Sequence, residues 1–156
     1  GLALFLTFFV MQPVFEASFN QGIMPMTEGR ISELAGLEAA AQPFRLFMVA
    51  NIREDDLLLF LDLGGIQAVA DPAQTPWRAL IPAFIVGELK RAFEIGFLLF
   101  LPFLIIDMVI ASLLMSLGMM MLPPSVVALP FKLIFFVLVD GWRLVSGSLV
   151  QGFNLN

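Results

Sequence analysis

The chain has 156 residues, of which 60% are hydrophobic and only 13% are charged, and its net charge is −5. A soluble domain is about 45–50% apolar and about 25% charged, so this composition predicts a membrane protein or the core subunit of a membrane complex. The sequence has no cysteine, histidine or tyrosine, which excludes disulfides, thiolate nucleophiles, imidazole bases and the usual zinc and haem sites. We therefore expect no enzyme activity, no catalytic residue, no metal site and no cofactor.

The acidic excess lies in one part of the sequence. Residues 16–78 hold nine acids and four bases, whereas the charges in the remainder of the chain sum to zero. No basic stripe exists, so nucleic acid is not an expected partner.

The N-terminal residues predict an apolar helix followed by a polar insert. Residues 1–15 would rise only about 22 Å as a helix, which is less than the ~30 Å hydrocarbon core of a bilayer. We therefore expect the chain to be truncated upstream, with residues 1–15 as the end of an apolar helix. Residues 16–78 are predicted to form a polar, mostly helical insert.

Three helix signals lie inside the insert. Thr27 is expected to cap one helix, and Pro43 is expected in the first turn of another. A third helix is predicted after the acids at positions 54–56, ending at Gly64 and Gly65, because acids before an apolar run and glycine after it punctuate helices.

The C-terminal region, residues 79–156, predicts an apolar helical hairpin. Residues 79–101 form an amphipathic helix candidate, and residues 95–122 form an apolar run of 28 residues that contains one charge. Residues 123 and 124 are both proline and should turn the chain. Residues 125–150 are predicted to form the last helix, and three charged residues interrupt it: Lys132, Asp140 and Arg143. An ordinary lipid-facing span does not carry such charges. The predicted fold class is all-α, a membrane-complex subunit built from kinked helical hairpins with a polar helical insert.

Charged residues within the apolar region are the candidate site residues. Glu88 and Lys90 have helical spacing to Arg91 and Glu94 and are expected to pair along one helix or to form a solvated face. Asp107 and Lys132 lie in the two arms of the hairpin, 16 residues before Pro123 and nine after it, so their direct pairing requires a kink or a neighbouring subunit.

Two interpretations of Asp107 and Lys132 remain open. They lie on a conducting or proton-sensing path, or they form structural pairs that fix the register of subunits. Asp140 can pair locally with Arg143, which has i,i+3 spacing.

Two stretches carry a family resemblance. They are residues 82–97, PAFIVGELKRAFEIGF, and residues 130–142, PFKLIFFVLVDGW. Both resemble signatures of the FliP family of flagellar type III export-gate proteins, which virulence-secretion relatives share. Residues 100–107, the methionine triplet and the REDDL stretch at 53–57 also match. Gly87 departs from the pattern, since the family usually has a small hydroxyl residue there.

The resemblance implies a non-enzymatic function in protein export. FliP-like chains assemble in several copies, expected to be pentameric, with FliQ and FliR in the bacterial inner membrane at the flagellar basal body. FlhA and FlhB are further implied partners, and unfolded flagellar subunits pass through the gate. The insert at 16–78 would be periplasmic.

Three adjacent methionines, Met119, Met120 and Met121, precede the two prolines. Without the family resemblance, this triplet indicates residues that pack in an apolar core or face lipid, because methionine is flexible and fills irregular apolar gaps. The resemblance implies that they form the gasket of the closed pore. Two alternatives remain, a virulence type III export-gate subunit and an ion or small-molecule transporter that uses Asp107 and Lys132.

Overall fold

The chain is helical throughout most of its length. The computed structural model describes residues 1–118 and 122–153, and within them the regular structure is helical, without a β-strand. The helices are α1 (Leu2–Ser18), α2 (Met24–Thr27), α3 (Glu33–Asn51), α4 (Glu54–Leu63), α5 (Trp77–Ser116), α6 (Pro124–Leu138) and α7 (Gly141–Gln151). A π-helical turn, Phe19–Ile23, joins α1 to α2, and a 3-10 turn, Pro72–Gln74, precedes α5. The predicted all-α fold class is confirmed.

Two helical stretches are long and apolar enough to cross a membrane. Leu2–Thr27 has 26 residues and a mean hydropathy of 1.6, and Trp77–Ser116 has 40 residues and a mean hydropathy of 2.6. The helices Pro124–Leu138 and Gly141–Gln151 meet the same criterion only as a pair, bent by 61°. The chain therefore has the membrane character that its composition predicted.

The chain divides into two compact units. The first comprises Gly1–Lys90 with Phe153, and the second comprises Arg91–Gly152. Helix α5 contributes residues 77–90 to the first unit and 91–116 to the second. The boundaries predicted from sequence at residues 15 and 78 stay predictions.

The first unit is built on close packing of α1, the π-helical turn and α3. A Cβ atom on Gly22 would lie 2.4 Å from the backbone nitrogen of Ala40, so only glycine allows the two backbones to approach this closely. The buried Ser18 hydroxyl donates a hydrogen bond to the Ala40 carbonyl at 2.7 Å. Phe47 of α3 lies 6.1 Å from Phe84 of α5, centroid to centroid, and joins these helices.

Two predicted helix signals in the first unit are wrong. Thr27 ends α2 and its hydroxyl donates to the Met24 carbonyl, whereas Ser32 caps α3 by accepting from the Ala35 N–H at 3.3 Å. Pro43 lies buried inside α3 rather than in a first turn. The helix predicted after the acids at 54–56 is confirmed as α4, but it begins at Glu54, so the acids form its first turn; Gly64 follows it.

The second unit contains the predicted hairpin, with two corrections. The sequence indicated a helix over residues 79–101 and an overlapping apolar run over residues 95–122, whereas α5 is one helix that begins at Trp77 and ends at Ser116. Residues 125–150 were expected to form one helix, but the backbone breaks at Asp140, where φ is 52° and ψ is 58°. Most large apolar side chains of α5 and α6 are exposed within the chain, as in a protein that lipid or other subunits cover.

Candidate functional site

An ion pair joins the two arms of the hairpin. The ammonium of Lys132 on α6 lies 2.7 Å from Oδ2 of Asp107 on α5. This distance is in the range of a charge-assisted hydrogen bond, about 2.7–2.9 Å. Direct pairing within one chain therefore occurs without a neighbouring subunit, contrary to the expectation that the two arms were unequal at these positions.

The positions of the two helix ends explain why the pair can form. Helix α5 ends at Ser116, nine residues after Asp107, and α6 begins at Pro124, eight residues before Lys132. At about 1.5 Å rise per residue, both charges lie some 12–14 Å from the helix ends that the loop joins. The sequence estimate was wrong because it counted both distances from Pro123, whereas α5 already ends at Ser116.

Aromatic contacts support the hairpin farther from the loop. The ring of Phe103 on α5 lies 5.7 Å from Phe135, edge to face at 90°, and 6.2 Å from Phe136. Phe103 precedes Asp107 by one helical turn, and both phenylalanines follow Lys132 by about one turn, as in two antiparallel helices. Ring pairs of this geometry contribute about 0.5–1.5 kcal/mol beyond the apolar area that they bury.

The carboxylate of Asp107 is only half satisfied. Its Oδ2 binds Lys132, but the buried Oδ1 has no hydrogen-bond partner within residues 1–118 and 122–153. The side chains of Lys132 and Asp107 are 24% and 30% exposed, so the pair is neither fully buried nor free in solvent. A partly desolvated pair of this kind couples the two helices more strongly than an exposed one.

The break between α6 and α7 forms a second polar feature. Asp140 has a left-handed backbone conformation, which non-glycine residues adopt rarely but which aspartate tolerates better than most. The ring of Phe136 covers Gly141 so closely that a Cβ atom there would lie 2.2 Å from Cε2. Phe136 also contacts Trp142 edge to face at 5.2 Å. Asp140, Gly141 and Phe136 together define this corner, which we call the α6–α7 corner.

The other predicted charges lie on the surface of the isolated chain or near it. Lys90 and Asp140 are exposed, and Glu88 is half-buried, so their burial in an assembly stays a prediction. Asp140 is linked to Arg143 by a backbone hydrogen bond of 3.0 Å, but in the described part of the chain their side chains form no ion pair.

Sequence reasoning missed one contact in the second unit. The guanidinium of Arg91 on α5 donates to the Leu149 carbonyl on α7 at 3.4 Å. Arg91 also lies against Gly152, where a Cβ atom would collide with the guanidinium. No local pattern could have predicted it, because 58 residues separate donor and acceptor.

The predicted gasket residues Met119, Met120 and Met121 lie outside the described residues. The described neighbours are Gly118, with φ of +74°, and the exposed Leu122. Across residues 1–118 and 122–153, no group of three or more acidic, histidine or cysteine side chains could hold a metal ion.

Comparison with known proteins identifies the family. The family model described as the FliP family matches residues 1–149. This chain belongs to the FliP family. The resemblance carried by residues 82–97 and 130–142 is thereby confirmed.

Three curated relatives named "Flagellar biosynthetic protein FliP" show how far the FliP likeness extends. The protein from Caulobacter vibrioides is 58% identical over 98% of this chain and 58% of its own length. The Pectobacterium carotovorum protein is 53% identical over 98% of this chain and 59% of its own length. The Bacillus subtilis protein is 48% identical over 98% of this chain and 69% of its own length. This FliP-family chain thus spans about three fifths of the length of the first two.

Proposed function

We propose that this chain is a subunit of the flagellar type III protein export gate. It would form, with FliQ and FliR, a channel for unfolded flagellar proteins across the bacterial inner membrane at the basal body. The observation that carries the proposal is the FliP-family match over residues 1–149, together with relatives named for flagellar biosynthesis. The long apolar helices support a membrane location.

The hairpin of α5 and α6 would be the core of the gate. The ion pair between Asp107 and Lys132 would fix the register of its arms, so that the end of α5 and the start of α6 stand at a defined height. Several copies would bring Met119, Met120 and Met121 together on the channel axis. Methionine is unbranched and polarizable, so these side chains could seal the closed pore and still deform around a passing chain.

Further subunits would cover the apolar surface of the chain. Side chains such as Phe93 and Leu138 are 77% and 78% exposed, too apolar a surface to face water in bulk. We propose that copies of this chain, assembled as a pentamer with FliQ and FliR, cover part of it and that lipid covers the rest. FlhA and FlhB would act beside this assembly, and no step requires a catalytic residue.

Two other functions remain as alternatives. A virulence type III export-gate subunit would use the same hairpin, and the relatives' flagellar names favour the flagellar system. An ion transporter would use Asp107 and Lys132 as a relay, and the observation that favours it is Oδ1 of Asp107, which has no hydrogen-bond partner among the described residues. The transporter function gives no role to the methionine triplet.

Purification of the full-length protein tests the proposal. Expressed with FliQ and FliR, it should elute with them as one assembly, and its deletion should abolish export of flagellar subunits. Reconstituted alone, it should move no solute. Solute flux from the isolated protein, without a stable assembly, would refute the export-gate function and support the transporter.

A further inference from the structure

Helix α7 carries a polar groove along one side. Asp140, Arg143, Gly147 and Gln151 follow one another at intervals of three or four residues, so they share one side of the helix, and Ser148 lies beside them. All five line an open groove with a volume of about 360 Å³. We call this side the α7 polar face.

Contacts at both ends of α7 determine which side of the helix is exposed. At the N-terminal end, the ring of Phe136 covers Gly141. At the C-terminal end, the guanidinium of Arg91 donates to the Leu149 carbonyl. The Leu149 side chain, on the side of α7 opposite the α7 polar face, is half-buried. The fold therefore holds α7 with its polar face outward.

The α7 polar face has no polar partner in the described part of the chain. Within residues 1–118 and 122–153, the side chains of Asp140, Arg143, Ser148 and Gln151 form no hydrogen bond or ion pair. Charged groups are costly to remove from water unless they find partners. The face therefore requires water or the polar groups of another chain. Its formal charge is zero, because one carboxylate balances one guanidinium.

Charge and symmetry favour one occupant of this face. Acyl chains of lipid offer neither donors nor acceptors. A second copy of the chain would pair Asp140 with Arg143 across a two-fold axis, whereas in a cyclic ring every copy presents the same face to the common axis. A neutral face with donors and acceptors fits an unfolded polypeptide, whose N–H and C=O groups recur at each residue whatever its sequence. A wall of one sign would instead retain segments of opposite charge.

We propose that the α7 polar face lines the aqueous path of the gate and contacts the unfolded polypeptide in transit. This inference rests on the proposed export function. Gly147 leaves space for the polypeptide, since it adds no side chain between Arg143 and Gln151. A Cβ atom on Gly147 would have Nε2 of Gln151 as its nearest neighbour, at 3.9 Å, so a larger side chain there would project into the groove rather than into the protein.

The first experiment stalls a substrate in the assembly of the full-length protein with FliQ and FliR. The substrate is a flagellar subunit fused to a domain that does not unfold. A benzophenone amino acid is placed at position 148 or 151, or at control position 138, where the side chain is 78% exposed outside the groove. Cross-linking to the substrate should be several-fold stronger from positions 148 and 151 than from position 138.

The outcomes separate this inference from the export function. A substrate that stays bound to the assembly but is not cross-linked from positions 148 and 151 would overturn the inference and leave the export function intact. A substrate that never binds the assembly would refute the export function, and the inference with it. Cross-links to a second copy of this chain, equally strong with and without substrate, would assign the face to a subunit contact and overturn the inference.

The second experiment changes the space in the groove. Gly147→Phe should reduce export of flagellar subunits several-fold at unchanged yield of the assembly, because its ring would occupy the path. Gly147→Ala adds only the Cβ atom for which space exists and should export normally. Export by Gly147→Phe equal to that of Gly147→Ala would contradict the contact.

The third experiment changes the charge of the face. Arg143→Glu places a second carboxylate beside Asp140 in every copy, so the face would retain basic segments of a substrate. Acids in the first turn of a helix are favourable, so α7 and the assembly should still form. Export should fall several-fold in Arg143→Glu and stay near normal in Arg143→Gln, which keeps a hydrogen-bonding side chain. An equal loss of export in both variants would show that the charge balance is irrelevant and would count against the inference.

Discussion

Replacement of Lys132 with methionine removes the ammonium of the hairpin ion pair and keeps a flexible side chain of similar length. Asp107 then has neither oxygen paired, because Oδ1 already lacks a partner among the described residues. Asp107→Ala is the milder change, since the lysine left behind can carry its ammonium towards a wetter region on its long stem.

The expected loss of stability follows from the solvent exposure of the two side chains. Exposed ion pairs contribute about 0.2–1 kcal/mol, and removal of one partner of a fully buried pair costs about 3–5 kcal/mol. The side chains of Lys132 and Asp107 are 24% and 30% exposed, so the pair lies between these limits. We expect Lys132→Met to cost about 2 kcal/mol, which is about 30-fold in the equilibrium for opening the hairpin.

The assay is thermal unfolding of the purified full-length assembly in detergent. A loss of about 2 kcal/mol should lower the midpoint for Lys132→Met by about 4–8 °C. The double variant Asp107→Ala with Lys132→Met should recover most of this loss, because no unpaired charge remains. Lys132→Arg retains the charge and serves as the control.

Two outcomes would refute the reasoning. A midpoint for Lys132→Met within about 1 °C of the wild-type value would show that the pair does not stabilise the hairpin. A double variant less stable than Lys132→Met would show that the unpaired carboxylate is not the cause. Normal motility of both single variants would further count against a role in assembly or export.

Three more predictions concern the second unit. Alanine at all three positions of residues 119–121 should make the closed gate leak small ions in a conductance assay, and unchanged permeability would contradict the gasket. Gly141→Ala should lower the yield of the folded assembly severely, because its Cβ atom would lie 2.2 Å from the Phe136 ring, whereas Gly147→Ala, 3.9 Å from its nearest atom, should leave the yield unchanged. Asp140→Gly should raise the unfolding midpoint by about 2–4 °C, since it relieves about 1 kcal/mol of left-handed strain, and a lowered midpoint would instead assign a stabilising contact to the carboxylate.

Much of the fold could be predicted from composition and periodicity. The apolar excess predicted membrane helices, and acids before an apolar run with glycine behind it predicted α4 and its end at Gly64, although α4 begins at Glu54, three residues earlier than predicted. These features could be predicted because they depend on residues that are neighbours in sequence. Ser32 caps α3, whereas the sequence prediction named Thr27; serine and threonine are both favoured N-cap residues, so residue type alone did not separate them.

Other features depended on context that a local pattern does not contain. Pro43 lies buried inside α3, and its burial depends on residues distant in sequence, which no local pattern reports. The α6–α7 corner did have a signal, since Asp140 and Gly141 form an Asp-Gly pair that marks turns, but the apolar run around it outweighed this pair.

The candidate site was predictable in its residues but not in its geometry. Asp107 and Lys132 stood out as charges among apolar neighbours, yet their pairing depended on where α5 ends.

The bend between α6 and α7 sets how deep a charge would sit in a bilayer. Helices of 15 and 11 residues rise about 22 Å and 16 Å, and at a bend of 61° their ends are about 34 Å apart. This matches one hydrocarbon core of ~30 Å, which neither helix would cross alone. If the pair crosses as one broken span, Asp140 lies at a depth where hydrocarbon cannot solvate its carboxylate. The corner must then face water or another protein chain, so the bend itself defines a side of this helix pair from which lipid is excluded.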